Sequence, residues 1–406
     1  IEVVKEAAKL GIFEKIIIET NGVLFATRHD LLKKLGEIEG IRVDIDVSFK
    51  GVNPKQFKYI SGMPEKYFYM QIEGFVIDAI SRQPGVEVMN IEEAIERFGN
   101  YLEKYYWKAL DVNTDKFTAL AELRGSGGYF IRVKAGNRVQ FPIQACLLMQ
   151  MDKSLQAPHN IIIVEDNAEV SVVTGCASMR ENVGLHAGAT EIYVGRGARI
   201  NYIMIHRWSK AMHIRPRTGV VVEAGGEFVS HYIAFTKLDT LQSMPRVTLH
   251  NDAHAYLASI IVLEGDSQAD SGYNLVLEGD RSSGQIITRA IVKDSSSIVS
   301  RAYICGSGTG TRGHIECQGL ILSKRSRILT IPKLEAYNND TQLTHEAAIG
   351  KLSEEKINWL IARGFTRGEA EALLVRGFMR IDLPQLPSTL MATIDNTIRL
   401  ISKSIL

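Results

Sequence analysis

Apolar residues recur at two different spacings along the chain, and the change of spacing divides it into three stretches. From 1 to about 122 the spacing is mostly helical. Val4, Ala8 and Ile12 fall near a 3.6-residue step, Leu31 to Leu35 follow Asp30 as an N-cap, and Ala94, Ile95, Phe98, Leu102 and Tyr105 share one face of a helix over 91–106. Strand-like pieces such as 43–49 are mixed in, so this stretch reads as a helical or mixed domain. Between 123 and 340 the text becomes short β-branched runs separated by small turn residues. From 341 to 406 helices return. Ser353 caps an acidic first turn, and Thr366 with Glu369 forms a capping box worth ~1 kcal/mol. Gly364 and Gly377 stand where C-caps belong, and a last helix from about Ser388 carries Leu390, Ile394, Ile398 and Ile405 on one stripe.

The middle stretch repeats one phrase: a polar turn with a small residue, then a strand. Counted on the small residue, the gaps from Ala168 to Ala198, Gly226 and Ala253 are 30, 28 and 27, and those from Ser297 to Gly313 and Ser326 are 16 and 13. A period near 28 with a half-period near 14 fits a solenoid whose coil holds two strand–turn units. A β-sandwich would show hairpins closed by Asn-Gly or Asp-Gly turns, and neither dipeptide occurs there. The period therefore predicts a mainly β protein with a parallel β-helix core of about 8 coils, a rod roughly 35–40 Å long at the ~4.8 Å strand spacing.

Composition narrows the function. The 406 residues are 45% hydrophobic and 23% charged, as in ordinary globular chains, and 47 basic against 46 acidic residues leave a net charge of +1. That balance argues against a nucleic-acid partner. No apolar run approaches the ~20 residues that cross a membrane. The first twenty residues carry charges throughout, unlike a secretory signal, and four cysteines are too few for a disulfide framework, so a reducing cytoplasm is expected.

Most motifs fail on their context. Gly308 to Gly313 spells G-x-G-x-x-G, but HIECQGLIL follows, which reads as strand rather than the helix a dinucleotide site needs. Gly350-Lys351 is followed by Leu352, so there is no P-loop, and any ATP-driven step must borrow its phosphate site from another chain. His345-Glu346 lacks the second histidine of H-E-x-x-H, because Ile349 stands there. What remains is a neighbourhood of Cys305, His314, Cys317, His345 and Glu346 where the solenoid gives way to helices. Cys305 and Cys317 are 12 apart, close to a half-coil, and could stack on adjacent strands. His314 and Cys317 are three apart, so in a strand they face opposite sides. Thiolate with imidazole or carboxylate suits iron–sulfur chemistry or zinc. Buried core thiols and turn histidines are the plainer reading of the same residues.

The stretch from 310 to 378 resembles the C-terminal signature of the SufB/SufD family, scaffold proteins of the SUF iron–sulfur cluster assembly system. It carries a cysteine within G-H-x-E-C, P-x-L-E-x-Y-x-x-D, H-E-A, and R-G…A…L-L ending in G-F. Gly127-Gly128-Tyr129-Phe130-Ile131, Thr174-Gly175-Cys176-Ala177 and His206-Arg207-Trp208-Ser209-Lys210 resemble further family segments. The resemblance implies a right-handed parallel β-helix flanked by N-terminal and C-terminal helical domains. It is closer to SufB, by H-E-A at His345 to Ala347 and by Cys317, and similar to archaeal-type or minimal-system members. It implies no enzyme activity of the chain's own. Cys317 and Glu346 match positions that build the nascent cluster, taken as [4Fe-4S]. Cys176 matches the sulfur acceptor, and His206, Trp208 and Lys210 would line the inner path between them. His345, His314 and Cys305 are candidates for the rest of the shell, although the last two are not general family ligands. Two departures stand out: members often have Gln at the position of His206, and SufB commonly has Glu at that of Thr344. The implied partners are a SufC-like ABC ATPase docked on the C-terminal helices, a second copy joined through the β-helix, and recipient apo-proteins or carriers. Two rivals are a SufD-like subunit that binds the ATPase without holding a cluster, and a secreted-type β-helix enzyme acting on polysaccharide.

Overall fold

A left-handed turn residue followed by a small buried one opens strand after strand of the central stretch. Asn167, Gly197, Gly225, Asp252, Arg281 and Gly310 have φ between 56° and 68°, and Ala168, Ala198, Gly226, Ala253, Ser282 and Thr311 follow them into the interior. Gly, Asn and Asp enter that region at least cost. Arg281 is the exception, and its guanidinium is tied to Asp252 one coil away at 2.6 Å. The small residue is required because the corner leaves no room inside for a longer side chain.

The computed structural model describes residues 15–20, 42–47, 67–72, 75–81, 84–178 and 183–381. Within them each corner launches a strand that lies in parallel register on the strand one coil earlier. Glu169 pairs with Arg199, Arg199 with Glu227, Glu227 with His254, His254 with Ser283, Ser283 with Arg312, and Arg312 with Gln342. The intervals of 27 to 30 residues reproduce the period read from the turns. The result is a parallel β-solenoid of about 7 turns with two walls. One wall runs from Ile143–Met149 through Glu169–Ser178, Arg199–Trp208, Glu227–Thr236, His254–Leu263, Ser283–Val292 and Arg312–Ile321 to Gln342–Gly350.

The facing wall changes along the rod. In the early coils it is broken into pairs of short strands, as Met212–Ile214 and Arg217–Val222, or Thr240–Ser243 and Arg246–Leu249, with Pro216 and Pro245 at the breaks. Proline has no N–H to give the ladder, so the strand ends there. From Gln268–Leu277 onward this wall is continuous through Ser297–Gly306 and Arg327–Ala336. Alternation sets what faces inward: in Ser297–Gly306 the even-numbered residues are buried and the odd-numbered ones lie outside.

Helices close the flanks. α1 (Ile91–Leu102), capped by the Asn90 side chain, packs through Ala94 and Leu102 on Phe130, Ile161 and Ile163. α2 (Lys116–Leu123) begins at Asp115, which also binds Arg217 at 2.7 Å. Between them, the fully buried Glu191 carboxylate accepts the backbone N–H groups of Trp107, Lys108, Ala109 and Leu110. α3 (Glu354–Ile361) and α4 (Arg367–Phe378) follow the solenoid, with Ser353 and the Thr366–Glu369 box as caps. Val375, Met379 and Ile381 lie against Val262, Ile291 and Leu320 on the outside of the first wall.

The strand ladder continues to Gly350, and described strands at Lys15–Thr20, Arg42–Val47, Tyr67–Ile72 and Phe75–Ser81 accompany the helices of the N-terminal stretch. The helical readings at Val4 to Ile12, at Leu31 to Leu35 and beyond Ser388 lie outside the described residues. Gly308 to Gly313 forms a corner leading into Arg312–Ile321, as its strand-like sequel predicts. A Cβ on Gly308 would come 2.4 Å from the Gly279 carbonyl oxygen. No described helix is long and apolar enough to cross a membrane.

Candidate functional site

Two thiols face the interior of the first wall, Cys176 near one end of the rod and Cys317 near the other. Near the N-terminal end, Cys176 is 4% exposed and shares a rung with His206 on the neighbouring strand. Burial alone pushes its thiol far above the ordinary range, with Cys146 adding to the effect. Around it stand His206, Trp208, His186 and Tyr232, all buried. The His206 ring meets Trp208 edge-on at 5.7 Å, Tyr232 at 5.2 Å and His186 at 6.4 Å between centroids. Tyr232 Oη and His206 Nδ1 are 3.0 Å apart, as are His186 Nδ1 and Gln156 Oε1. Burial lowers His206 to about 3 and His186 to about 4, so both imidazoles are neutral at physiological pH. Among the described residues His206 Nε2 and Trp208 Nε1 have no hydrogen-bond partner.

Beside this cluster an inward column that carries a hydroxyl at every rung but Met204 descends the first wall to Cys317. Reading rung by rung, Thr174 lies on Met204, then Tyr232, Ser259, Thr288 and Cys317. On the facing wall Ser243, Ser271, Ser300 and Thr330 form a matching column. Between the columns is a cavity of about 30 Å³ bounded by Met204, Tyr232, Ser259, Ser243, Ser271 and Tyr273, among others. That is room for one or two water-sized molecules. Ser259 donates to Thr288 within the column at 3.3 Å, which satisfies part of its polar lining.

At the far end Cys317 is 1% exposed among core residues. Burial raises its thiol to about 11; the Glu316 charge adds to this, while Arg289 pulls the other way. Ser300 is within electrostatic reach of the thiol, yet its hydroxyl makes no hydrogen bond of proper geometry. One rung on is the last described strand, Gln342–Gly350, and no described strand covers its outer edge. By register His345 lies over Ile315, on the inward side with Cys317, whereas Glu346 lies over Glu316 on the outer side. His314 is outward too, with Nδ1 2.8 Å from Thr344 Oγ1.

The structure thus brings Cys317 and His345 to one face, and His314 and Glu346 to the other. It corrects the stacking of Cys305 on Cys317. Cys305 pairs with Val276 and Glu335 on the facing wall and points outward, because the 12-residue gap crosses a corner and changes walls. Cys305 neighbours Tyr303, whose hydroxyl donates to the Glu335 carboxylate, and Lys333 sits 4.7 Å from the Tyr303 ring centre. Cys176, His206 and Trp208 lie together on the inward side, whereas Lys210, expected to line the same path, is exposed in the turn beyond Trp208 and is not part of their lining. Among the described residues no three His, Cys, Asp or Glu side chains are grouped to hold a metal ion.

His186, Tyr232, Ser259, Thr288 and Ser300 went unnoticed in the sequence. Serine and threonine inside a strand carry no motif. Their signal is positional: stepping back from Cys317 by one coil at a time lands on Thr288, Ser259 and Tyr232.

Comparison with known proteins gives a consistent picture. Residues 147–378, more than half of the chain, match the family described as "SUF system FeS cluster assembly, SufBD core domain". An iron-sulfur cluster assembly SufBD family protein of Methanothermobacter thermautotrophicus (strain Delta H) is 38% identical over 330 residues, 80% of each chain. One from Archaeoglobus fulgidus is 40% identical over 322 residues, covering 79% of this chain and 86% of its own. One from Staphylococcus aureus (strain USA300) is 27% identical over 342 residues, covering 83% and 73%.

Proposed function

The chain belongs to the SufBD family of iron–sulfur cluster assembly proteins, and from that premise we propose that it is the scaffold on which a new cluster is built. Sulfur is accepted at Cys176, moves along the inner path past His206 and Trp208, and meets iron at Cys317. The observation that carries this reading is the inward column of Tyr232, Ser259 and Thr288 that leads to Cys317 and begins two residues aside from the rung of Cys176. The cluster is cargo, built with Cys317 and Glu346 as principal ligands and His345 and His314 completing the shell. A mixed thiolate, carboxylate and imidazole shell holds iron and sulfide firmly enough to form and loosely enough to leave. [4Fe-4S] is the favoured product.

Cys317 and Glu346 lie on opposite faces of the closed last coil, so assembly requires that coil to open. The force comes from a SufC-like ABC ATPase. Its docking surface is α3 and α4, where Trp359, Ile361, Phe365 and Leu373 are exposed apolar residues that a soluble helix pair would otherwise cover. The bare edges of Arg327–Ala336 and Gln342–Gly350 support a homodimer formed end to end, which pairs those edges and shelters the site. Four free cysteines fit a reducing cytoplasm, and recipient apo-proteins or carriers take the finished cluster.

Anaerobic reconstitution with ferrous iron and sulfide, in the presence of the partner ATPase, tests the assignment. The parent chain gains visible cluster absorption with matching iron and sulfide, and Cys317→Ser loses it. Full cluster content in Cys317→Ser refutes the ligand assignment. A chain that binds the ATPase and never gains iron is instead a SufD-like structural subunit, a reading favoured by the absence of a ready three-ligand group among the described residues.

A further inference from the structure

Buried polar atoms without partners are rare, because each costs the hydration it has lost and gets nothing in return. Two of them occur together beside Cys176. Trp208 is 3% exposed and His206 is fully buried; both are inward residues of the same strand, and among the described residues Trp208 Nε1 and His206 Nε2 have no partner. Indole nitrogen can only donate. The other His206 nitrogen is engaged by the Tyr232 hydroxyl at 3.0 Å. We assign the Tyr232 hydroxyl as the donor to Nδ1, which puts the one proton of the neutral ring on Nε2 and makes both orphans N–H donors. Cys176 occupies the same rung as His206, and Trp208 lies two residues further along the His206 strand, on the same inward side.

We propose that Trp208 Nε1 and His206 Nε2 form a cradle for one additional sulfur atom on Cys176, holding the outer sulfur of a Cys176 persulfide. The inference rests on Cys176 being the sulfur acceptor and adds what keeps the sulfur there. In loading, the Cys176 sulfur attacks the outer sulfur of a donor persulfide. The donor S–S bond breaks, a Cys176 S–S bond forms, and the Cys176 proton leaves with the donor thiol, so no net oxidation occurs. A persulfide is more acidic than its thiol, since the charge spreads over two sulfurs. The bare thiol here is held strongly protonated, and no carboxylate or ammonium adds its charge to His206, whose electrostatic neighbour is the neutral His186. Two N–H groups are then the means available to hold a persulfide anion, and charge-assisted hydrogen bonds are the stronger kind. The same two groups stay unpaired while Cys176 is a plain thiol, which tilts the site toward the loaded state.

The test uses the whole chain under anaerobic conditions. It is exposed to glutathione persulfide and desalted, and the Cys176 peptide is followed by mass for the added sulfur atom. In the parent the persulfide persists. Trp208→Phe and His206→Leu, each of which removes one donor, lose it about tenfold faster. His206→Gln keeps an N–H at that place and retains the sulfur as the parent does. Unloaded Trp208→Phe melts no lower than the parent, since it sheds an unpaired donor, so the loss is not one of folding. If His206→Leu fails to fold, Trp208→Phe carries the comparison alone. A Cys176 persulfide of equal lifetime in all variants overturns the cradle while leaving the sulfur acceptor standing. A parent Cys176 that takes up no sulfur overturns both.

Discussion

Cys317 offers the sharpest quantitative check, because the closed state makes it a poor nucleophile by an amount that can be worked out. Its thiol is moved from an ordinary value of 9.0 to about 11. Only the thiolate reacts. Two pH units are therefore about a hundredfold less thiolate at any pH below 9 than an unperturbed cysteine has. Below that crossing the alkylation rate rises tenfold per pH unit. An ordinary thiol levels off near pH 9, whereas Cys317 should keep climbing past pH 10. The assay is a timed iodoacetamide pulse followed by peptide mass analysis, with the outward Cys305 as the internal comparison. The resting protein should show Cys317 labelled at least about a hundredfold more slowly than a free thiol near neutral pH. Adding the proposed ATPase partner with ATP should raise its labelling and leave that of Cys305 alone. A Cys317 rate that matches a free thiol, or that levels off near pH 9, refutes the closed-site reasoning.

Further tests follow from the same geometry. His206 and His186 are neutral in the fold, with values near 3 and 4 against 6.5 ordinarily. A depressed imidazole stabilises above the unfolded value, and that stability is lost as pH falls from 6.5 toward 4. At pH 5 the loss is of order 2 kcal/mol for each ring, so melting temperature should drop steeply below pH 6.5, and less so in His186→Gln. Glu191→Gln keeps the shape but can no longer accept from all four N–H groups of 107–110; a loss of about 2–3 kcal/mol is expected by denaturant titration, and an unchanged midpoint would count against the latch. Thr288→Val replaces one hydroxyl of the interior column by a methyl of the same size. Sulfur loaded on Cys176 should then reach Cys317 more slowly, with stability lowered by roughly 1–3 kcal/mol because Ser259 loses its acceptor; unchanged transfer would show that the column is not the route.

The solenoid was legible because its corners are. A position that must be left-handed and a position that must be small recur at Asn167-Ala168, Gly197-Ala198 and Asp252-Ala253, and no tertiary information is needed to count between them. The capping box at Thr366 and Glu369 was equally local. Which wall a residue belongs to was harder. Cys305 and Cys317 are a half-coil apart, and a half-coil carries the chain around a corner to the opposite wall, so nearness in sequence misled. The side a residue faces was harder still at the last coil. There Cys317 and Glu346 differ by 29 positions but pair one step out of register, which puts them on opposite faces. The interior hydroxyls were silent for another reason. Serine is as common in turns as in a lined passage, and only the stacking of whole coils tells the two apart.

The bare edge at Gln342–Gly350 also bears on how the protein is made. Coils of a solenoid depend on their neighbours alone, so the rod can grow behind the ribosome as each coil emerges. That rung, the one proposed to pair in a dimer, is among the last of the described coils to be synthesised, after the corners that fix its register. A nascent chain therefore shows no sticky terminus of this kind until nearly all of the rod beneath it is in place. Stalled or truncated products ending within an earlier coil would expose a different edge, one with no matching counterpart, and these are the species expected to aggregate.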